Sequence, residues 1–299
     1  MSASHHSSEF AADLDGVHGY HWKSPACESW ACVLFCPGQG DFASRYEQIL
    51  APWIEGGIEV FSFDWPGHGM SRGRRGHVGS LASSRKLMDR LFDQVLRWAG
   101  PRAVGVSGHS MGGLMAMDLL ARRPEAKFGW ISSPLLRPSH GQSPWLVRSG
   151  QVLGRLLPGV TIDTGVRIED CIRCEADEAA DSKLEEFKDG QGHSRVSLGW
   201  GLSLMKVSAE LSHQREQIGR GRSLFVSQGT ADQVCPPKYC REFFELMNRE
   251  EVEFRELEGA LHEPFSDEQS RRKVDEFLGL ALDHWRSKFG NFQQSKNRA

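Results

Sequence analysis

Ser110, Asp232 and His262 are the residues whose types, order and surroundings point to chemistry. Ser110 lies in Val104-Gly105-Val106-Ser107-Gly108-His109-Ser110-Met111-Gly112-Gly113, where a β-branched run meets Gly-x-Ser-x-Gly and an apolar helical pattern, Leu114 to Leu120, follows. Strand, sharp turn and helix in that order would lift a serine hydroxyl out of the backbone at the end of a sheet strand. Gly108 and Gly112 suit such a turn because a side chain at either place would collide with it. With 32 Gly in 299 residues the bare pattern is common by chance, so the surroundings carry the claim.

A serine of ordinary acidity needs a base, a carboxylate to orient that base, and donors for a developing oxyanion. Downstream, the apolar run Ser223 to Gln228 leads into Gly229-Thr230-Ala231-Asp232, which places Asp232 just beyond a strand's carboxyl end. The alternating run Val252 to Leu257 leads into Glu258-Gly259-Ala260-Leu261-His262 and places His262 in the next such loop. Upstream, Trp30 to Phe35 reads as a buried strand running into Cys36-Pro37-Gly38-Gln39-Gly40-Asp41. The expected roles are Ser110 as nucleophile, His262 as general base and then acid, and Asp232 as the group that fixes the imidazole tautomer. The expected oxyanion donors are the backbone N–H groups of Met111 and Gln39, the latter turned inward by the flanking Gly38 and Gly40.

These loops converge only if their strands are parallel neighbours. Strand-like runs at Ala31–Phe35, Ile58–Asp64, Ala103–Ser107, Phe128–Ser132, Leu224–Gln228 and Val252–Glu256 alternate with helical patterns at Ser84–Trp98, Met111–Arg122 and Ser270–Trp285. Alternation of this kind predicts an α/β fold, a mainly parallel sheet with helices on both faces. Asp15-Gly16 reads as a hairpin turn between short N-terminal strands. The rhythm breaks between Ser132 and Ser223, where Trp145-Leu146-Val147 and Val152 to Leu157 precede a polar, acidic run from Glu169 to Glu186, a loop at Gly190-Gln191-Gly192 and a helical pattern, Val196–Leu211. The expected division is a discontinuous core, residues 10–132 and 212–290, with a cap or lid inserted at 133–211 and flexible tails at 1–9 and 291–299. Trp145, Leu146, Leu153, Leu156 and Leu157 would line an acyl channel, form a membrane-facing lid, or only bury the cap; helical spacing leaves these open.

At this point the chain resembles a known family. Phe63-Asp64-Trp65-Pro66-Gly67-His68-Gly69-Met70-Ser71 looks like a loop of many α/β-hydrolases, and Arg72-Gly73-Arg74-Arg75-Gly76-His77-Val78 resembles their monoacylglycerol lipase and bacterial lysophospholipase branch, the serine aminopeptidase S33-type hydrolases. Gly38-Gln39-Gly40-Asp41-Phe42-Ala43-Ser44-Arg45-Tyr46, Gly108 to Gly113 and Gly259 to Glu263 are similar to that branch as well, and the similarity runs from about Gly16 to Trp285. Pro37 stands where the branch usually has His, Gln39 where it has a small residue, and Phe42 where it has His. These departures keep the backbone donors and reshape the pocket beside them. The resemblance implies an α/β-hydrolase fold and a serine hydrolase cleaving carboxylic esters of single-chain lipids, monoacylglycerols or lysophospholipids, through an acyl-enzyme. The alternatives are a short-chain carboxylesterase or thioesterase and, from another class, a catalytically silent binding protein, which would typically have lost one of the three residues retained here.

Composition agrees with a large α/β core: 39% of residues are hydrophobic and 25% charged. Net charge is −3, which gives no reason to expect a nucleic-acid partner. No apolar run approaches a membrane span, and the first residues carry neither a basic start nor an apolar stretch of the secretory kind. Seven scattered cysteines, an odd number, point to a reducing compartment. Cys171-Ile172-Arg173-Cys174 has no second pair at metal spacing. The expectation is a cytoplasmic protein, peripheral to the membrane at most, with a lipid ester as its partner, transient membrane contact through the cap, no cofactor and no metal.

Overall fold

The computed structural model describes residues 10, 11, 14, 16–172, 191–247 and 250–290. Along the chain the described strands are β1 (Gly19–Trp22), β2 (Ala31–Cys36), β3 (Ile58–Phe63), β4 (Ala103–His109), β5 (Ala126–Ser132), β6 (Thr161–Asp163), β7 (Arg195–Ser197), β8 (Ser223–Gly229) and β9 (Val252–Leu257). Seven of them form one sheet in the order β1-β3-β2-β4-β5-β8-β9, and β6 pairs with β7 alone. Every neighbour in the large sheet is parallel except β1, which runs antiparallel to β3. Among the described residues β1 is the first strand; Asp15, half of the expected Asp15-Gly16 hairpin turn, lies outside the described residues. Gly16 turns at φ 76° and its carbonyl accepts the Arg72 N–H at 2.7 Å.

The sheet is covered on both faces, and β2 shows why its sequence is apolar throughout. Cys32, Leu34 and Cys36 join one core with Met88, Leu91, Phe92 and Leu114. The alternate residues Ala31, Val33 and Phe35 join a second core with Ile49, Trp53, Phe277 and Trp285. Side chains alternate across a strand, so a strand buried on both faces reads as a continuous apolar run. The helices that supply these cores are α1 (Glu47–Glu55), α2 (Leu81–Ala99), α3 (Met111–Arg122) and, at the chain's end, Glu268–Phe289. Ser80 and Ser83 form a reciprocal capping box at the start of α2. α1 carries Pro52 in its interior, which removes the N–H that would bond to the Gln48 carbonyl. The Arg271 guanidinium donates to that carbonyl at 2.8 Å instead, so the helix continues.

Between β5 and β8 the chain leaves the sheet. The described parts of this excursion are α4 (Pro144–Leu156), the β6–β7 pair, α5 (Ile168–Cys171) and α6 (Leu198–Ser212), before α7 (Arg215–Gly219) returns to β8. α8 (Pro237–Phe244) follows β8, and Glu268–Phe289 is α9. α4 and α6 cross at Gly154, where a Cβ would stand 3.0 Å from the Leu198 carbonyl oxygen and 2.7 Å from a Leu202 methyl carbon. Residues 173–190, which hold all but the start of the acidic run from Glu169 to Glu186 together with Cys174 and Gly190, lie outside the described residues, as do the two tails. None of the described helices is long and apolar enough to cross a membrane.

Candidate active site

The loops expected to meet do meet. β4, β8 and β9 end on the same edge of the sheet, and Ser110, Asp232 and His262 emerge from their carboxyl ends. Ser110 joins β4 to α3 with φ 55° and ψ −119°, a conformation that a non-glycine residue holds only under constraint. Two glycines make the turn possible by close approach. A Cβ on Gly108 would lie 2.5 Å from the Gly112 carbonyl oxygen, and one on Gly112 would lie 1.9 Å from that of Cys36. The Ser110 N–H donates to the Ser132 carbonyl at 2.9 Å, locking the turn to β5.

Ser110 Oγ stands 2.9 Å from His262 Nε2, and His262 Nδ1 stands 2.8 Å from Asp232 Oδ2. A carboxylate only accepts, so Nδ1 carries the proton and Nε2 accepts from the serine hydroxyl. All three side chains are buried. Asp232 is saturated: its Oδ1 accepts from the Cys235 N–H at 2.8 Å, and its Oδ2 accepts from Gln228 Nε2 at 2.9 Å as well as from His262. Such a chain can take a proton from the hydroxyl as it attacks and hand it to a leaving group. Cys235 packs beside it, but burial holds its thiol well above the usual range, which disfavours a thiolate nucleophile.

Met111 is the first residue of α3, where unpaired amides and the helix dipole favour negative charge. Facing it, the loop after β2 is held at every residue. Trp65 Nε1 donates to the Pro37 carbonyl at 2.9 Å, and the Gly38 N–H donates to the Tyr46 hydroxyl at 3.3 Å. The Gly40 carbonyl accepts from the His193 N–H at 2.9 Å. Gly38, Gln39 and Gly40 share a cavity wall with Ser110 and His262. Arg45 bridges Asp41 at 2.5 Å and Glu263 at 3.0 Å, tying this loop to the histidine's loop.

The Gln39 side chain is fully committed. Its Nε2 donates to the Arg195 carbonyl at 2.8 Å and to His68 Nε2 at 3.0 Å, and its Oε1 accepts from Trp200 Nε1 at 3.1 Å. His68 Nδ1–H then donates to the Pro66 carbonyl at 3.1 Å. Both ring nitrogens are matched to a neutral imidazole, and burial lowers the His68 pKa to about 3. In the unfolded chain the same ring titrates near 6.5, so between these values the unfolded state binds the extra proton and stability falls as pH is lowered. From pH 6.5 to about 4.5 the expected loss at this site is about 2 kcal/mol. Glu59, held at about 2 by His21 and Arg102 despite its burial, adds its own loss only below 4.5. Melting temperature followed from pH 7 to 4.5 should therefore decline, and decline less in His68→Gln; equal slopes would exclude His68 as the cause.

The cavity over Ser110 measures about 1310 Å³. Of the five residues considered for an acyl channel, Leu146, Leu153 and Leu157 line it and Trp145 and Leu156 do not. Trp145 is 68% exposed and Leu156 71%. The reason is helical geometry: 146, 153 and 157 share the inner face of α4 and its end, whereas 145, 152 and 156 share the outer one. Leu202 and Met205 of α6 complete the apolar wall. Sequence reading missed Trp200, Gln228 and His68 as partners of the site, because nothing in local spacing joins them to it. Among the described residues no group of three His, Cys, Asp or Glu side chains is placed to hold a metal ion.

Comparison with known proteins places these features in context. The model of the family described as serine aminopeptidase, S33, matches residues 28–269. A monoacylglycerol lipase of Mycolicibacterium smegmatis is 26% identical over 291 residues, covering 95% of this chain and 100% of that protein. An abhydrolase domain-containing protein of Dictyostelium discoideum is 30% identical over 225 residues, 74% of this chain; the chain spans 23% of that longer protein. The crystal structure of Paleococcus ferrophilus monoacylglycerol lipase superposes with a TM-score of 0.78 at 26% identity, covering 90% of this chain and 99% of that one.

Proposed function

The chain belongs to the serine aminopeptidase S33 family of α/β-hydrolases, and from that premise we propose that it cleaves carboxylic esters of single-chain lipids, monoacylglycerols or lysophospholipids, with Ser110, His262 and Asp232 as the catalytic residues. One observation carries the reading: the buried Ser110–His262–Asp232 relay opens into an apolar-walled cavity of about 1310 Å³, larger than the roughly 300–1,000 Å³ of ordinary small-molecule sites. The similarity to monoacylglycerol lipases supplies the same substrate class.

In this reading Ser110 Oγ attacks the ester carbonyl carbon while its proton passes to His262 Nε2. The amides of Met111 and Gln39 stabilise the tetrahedral oxyanion. Collapse breaks the bond to the alcohol, which leaves with the proton from His262, and water repeats the sequence on the acyl-enzyme. Residues 133–211 act as a cap whose inner leucines hold the chain. The outer face of α4 sets exposed Trp145, Val152 and Leu156 beside exposed Arg148 and Arg155, a composition suited to resting at a lipid headgroup boundary. We place the protein in the cytoplasm, peripheral to membranes; Cys32, Cys36, Cys235 and Cys240 are buried thiols, in keeping with a reducing compartment.

A matched panel of monoacylglycerols, lysophospholipids and p-nitrophenyl esters of short and long chains tests this. Turnover should rise with chain length on the monoesters. Activity confined to short esters would remove the lipid assignment and direct attention to Pro37, Gln39 and Phe42 as what narrows the site.

A further inference from the structure

Trp200 sits on α6, in the segment inserted between β5 and β8, and is completely buried. Its indole Nε1 carries one hydrogen, and two acceptors lie within reach of it. One is Gln39 Oε1 at 3.1 Å and the other is Met111 Sδ, also at 3.1 Å. These are the side chains of the two residues whose backbone amides the proposed mechanism assigns to the oxyanion, one on the loop after β2 and one at the head of α3.

We propose that Trp200 is a positioning residue for the oxyanion hole, a strut by which the inserted segment fixes the separation and aim of the Met111 and Gln39 amides. The inference rests on the reading of Ser110 as nucleophile and of those two amides as its donors. Indole N–H only donates, so its position dictates that Gln39 presents Oε1 to it. Nε2 of Gln39 is thereby turned to the Arg195 carbonyl of β7 and to His68. The loop is gripped from the same side at the next residue by the His193 N–H. Trp65 packs between strut and loop: its ring lies 6.2 Å from that of Trp200 and tilted 42° to it, and its own Nε1 holds the Pro37 carbonyl. Trp200 is not part of the substrate wall, which on α6 is made by Leu198, Gly201, Leu202, Leu204 and Met205. A role in contacting the acyl chain does not account for it.

Donors pre-aimed at the transition-state oxygen act on the rate rather than on ground-state binding. Trp200→Phe keeps the buried ring and deletes the shared hydrogen. With a long-chain monoacylglycerol as substrate, kcat should fall about 10-fold to 100-fold with KM within about twofold. Affinity for an alkyl boronic acid, which adds a tetrahedral anion to the serine, should weaken by the same factor, while the matching fatty alcohol binds unchanged. Gln39→Met, which removes the acceptor but leaves the backbone N–H, should reproduce the pattern if Trp200→Phe does not fold. Wild-type kcat and boronate affinity in folded variants would overturn the proposal, as would parallel changes in KM and fatty-alcohol binding. Failure of the underlying reading looks different: Ser110→Ala would keep its turnover, or the boronic acid would bind wild type no better than the alcohol.

Discussion

Ser110→Ala is expected to lower kcat by on the order of 10⁵ to 10⁶ while leaving the protein folded. The change removes one oxygen and nothing that shapes the turn. The backbone at φ 55° is held by the Ser110 N–H bond to Ser132, by the Leu135 N–H on the Ser110 carbonyl and by the two glycines, none of which involves Oγ. The cost to stability is the net worth of one hydrogen bond, about 1 kcal/mol. The cost to rate is much larger because no neighbouring group can replace the nucleophile. Cys235, the nearest alternative by chemistry, is buried and held protonated. Single-turnover assays on a long-chain monoester, with a thermal melt beside them, check both halves. A folded variant that retained more than a thousandth of wild-type turnover would take Ser110 out of the mechanism.

The parts of the molecule legible in its sequence are those set by local pattern. β2 announces itself because burial on both faces makes it apolar throughout, β3 is as fully buried but carries Glu59 and Ser62 within its apolar run, and α3 runs from Met111 to Arg122 as expected because the elbow's glycines mark its start. Loops at strand carboxyl ends then gave the positions of Ser110, Asp232 and His262. α1 was hidden by Pro52, since the Arg271 bond that compensates it comes from 223 residues away. The two faces of α4 were indistinguishable because both are apolar, one toward the cavity and one toward solvent. Trp200 was invisible for a related reason. It meets Gln39 across 161 residues and Met111 across 89, and a tryptophan in an apolar helix reads as core. What sequence pattern does not carry is the polar partner of a side chain that is otherwise buried.

Asp232→Ala is expected to lower kcat by on the order of 10⁴. It removes the carboxylate oxygen that accepts from His262 Nδ1 and the negative charge beside the imidazolium. Asp232→Asn is expected to lose less, on the order of 10², and the reason lies in Gln228. An asparagine can point its amide nitrogen at either former oxygen position. With nitrogen at the Oδ1 position it opposes one donor, the Cys235 N–H. With nitrogen at the Oδ2 position it opposes both Gln228 Nε2 and His262 Nδ1–H. Gln228 cannot turn over to relieve this, because its Nε2 also donates to the Cys235 carbonyl at 3.0 Å. The asparagine oxygen therefore faces His262, the productive tautomer survives, and the loss is that of a charge-assisted bond replaced by a neutral one. Adding Gln228→Met to Asp232→Asn removes the bias. Nitrogen then turns to Nδ1, the proton moves to Nε2 where it blocks the serine, and kcat should drop to the Asp232→Ala level. Comparing kcat for Asp232→Ala, Asp232→Asn and the double variant decides it: an Asp232→Asn enzyme already as slow as Asp232→Ala would show that Gln228 does not choose the tautomer.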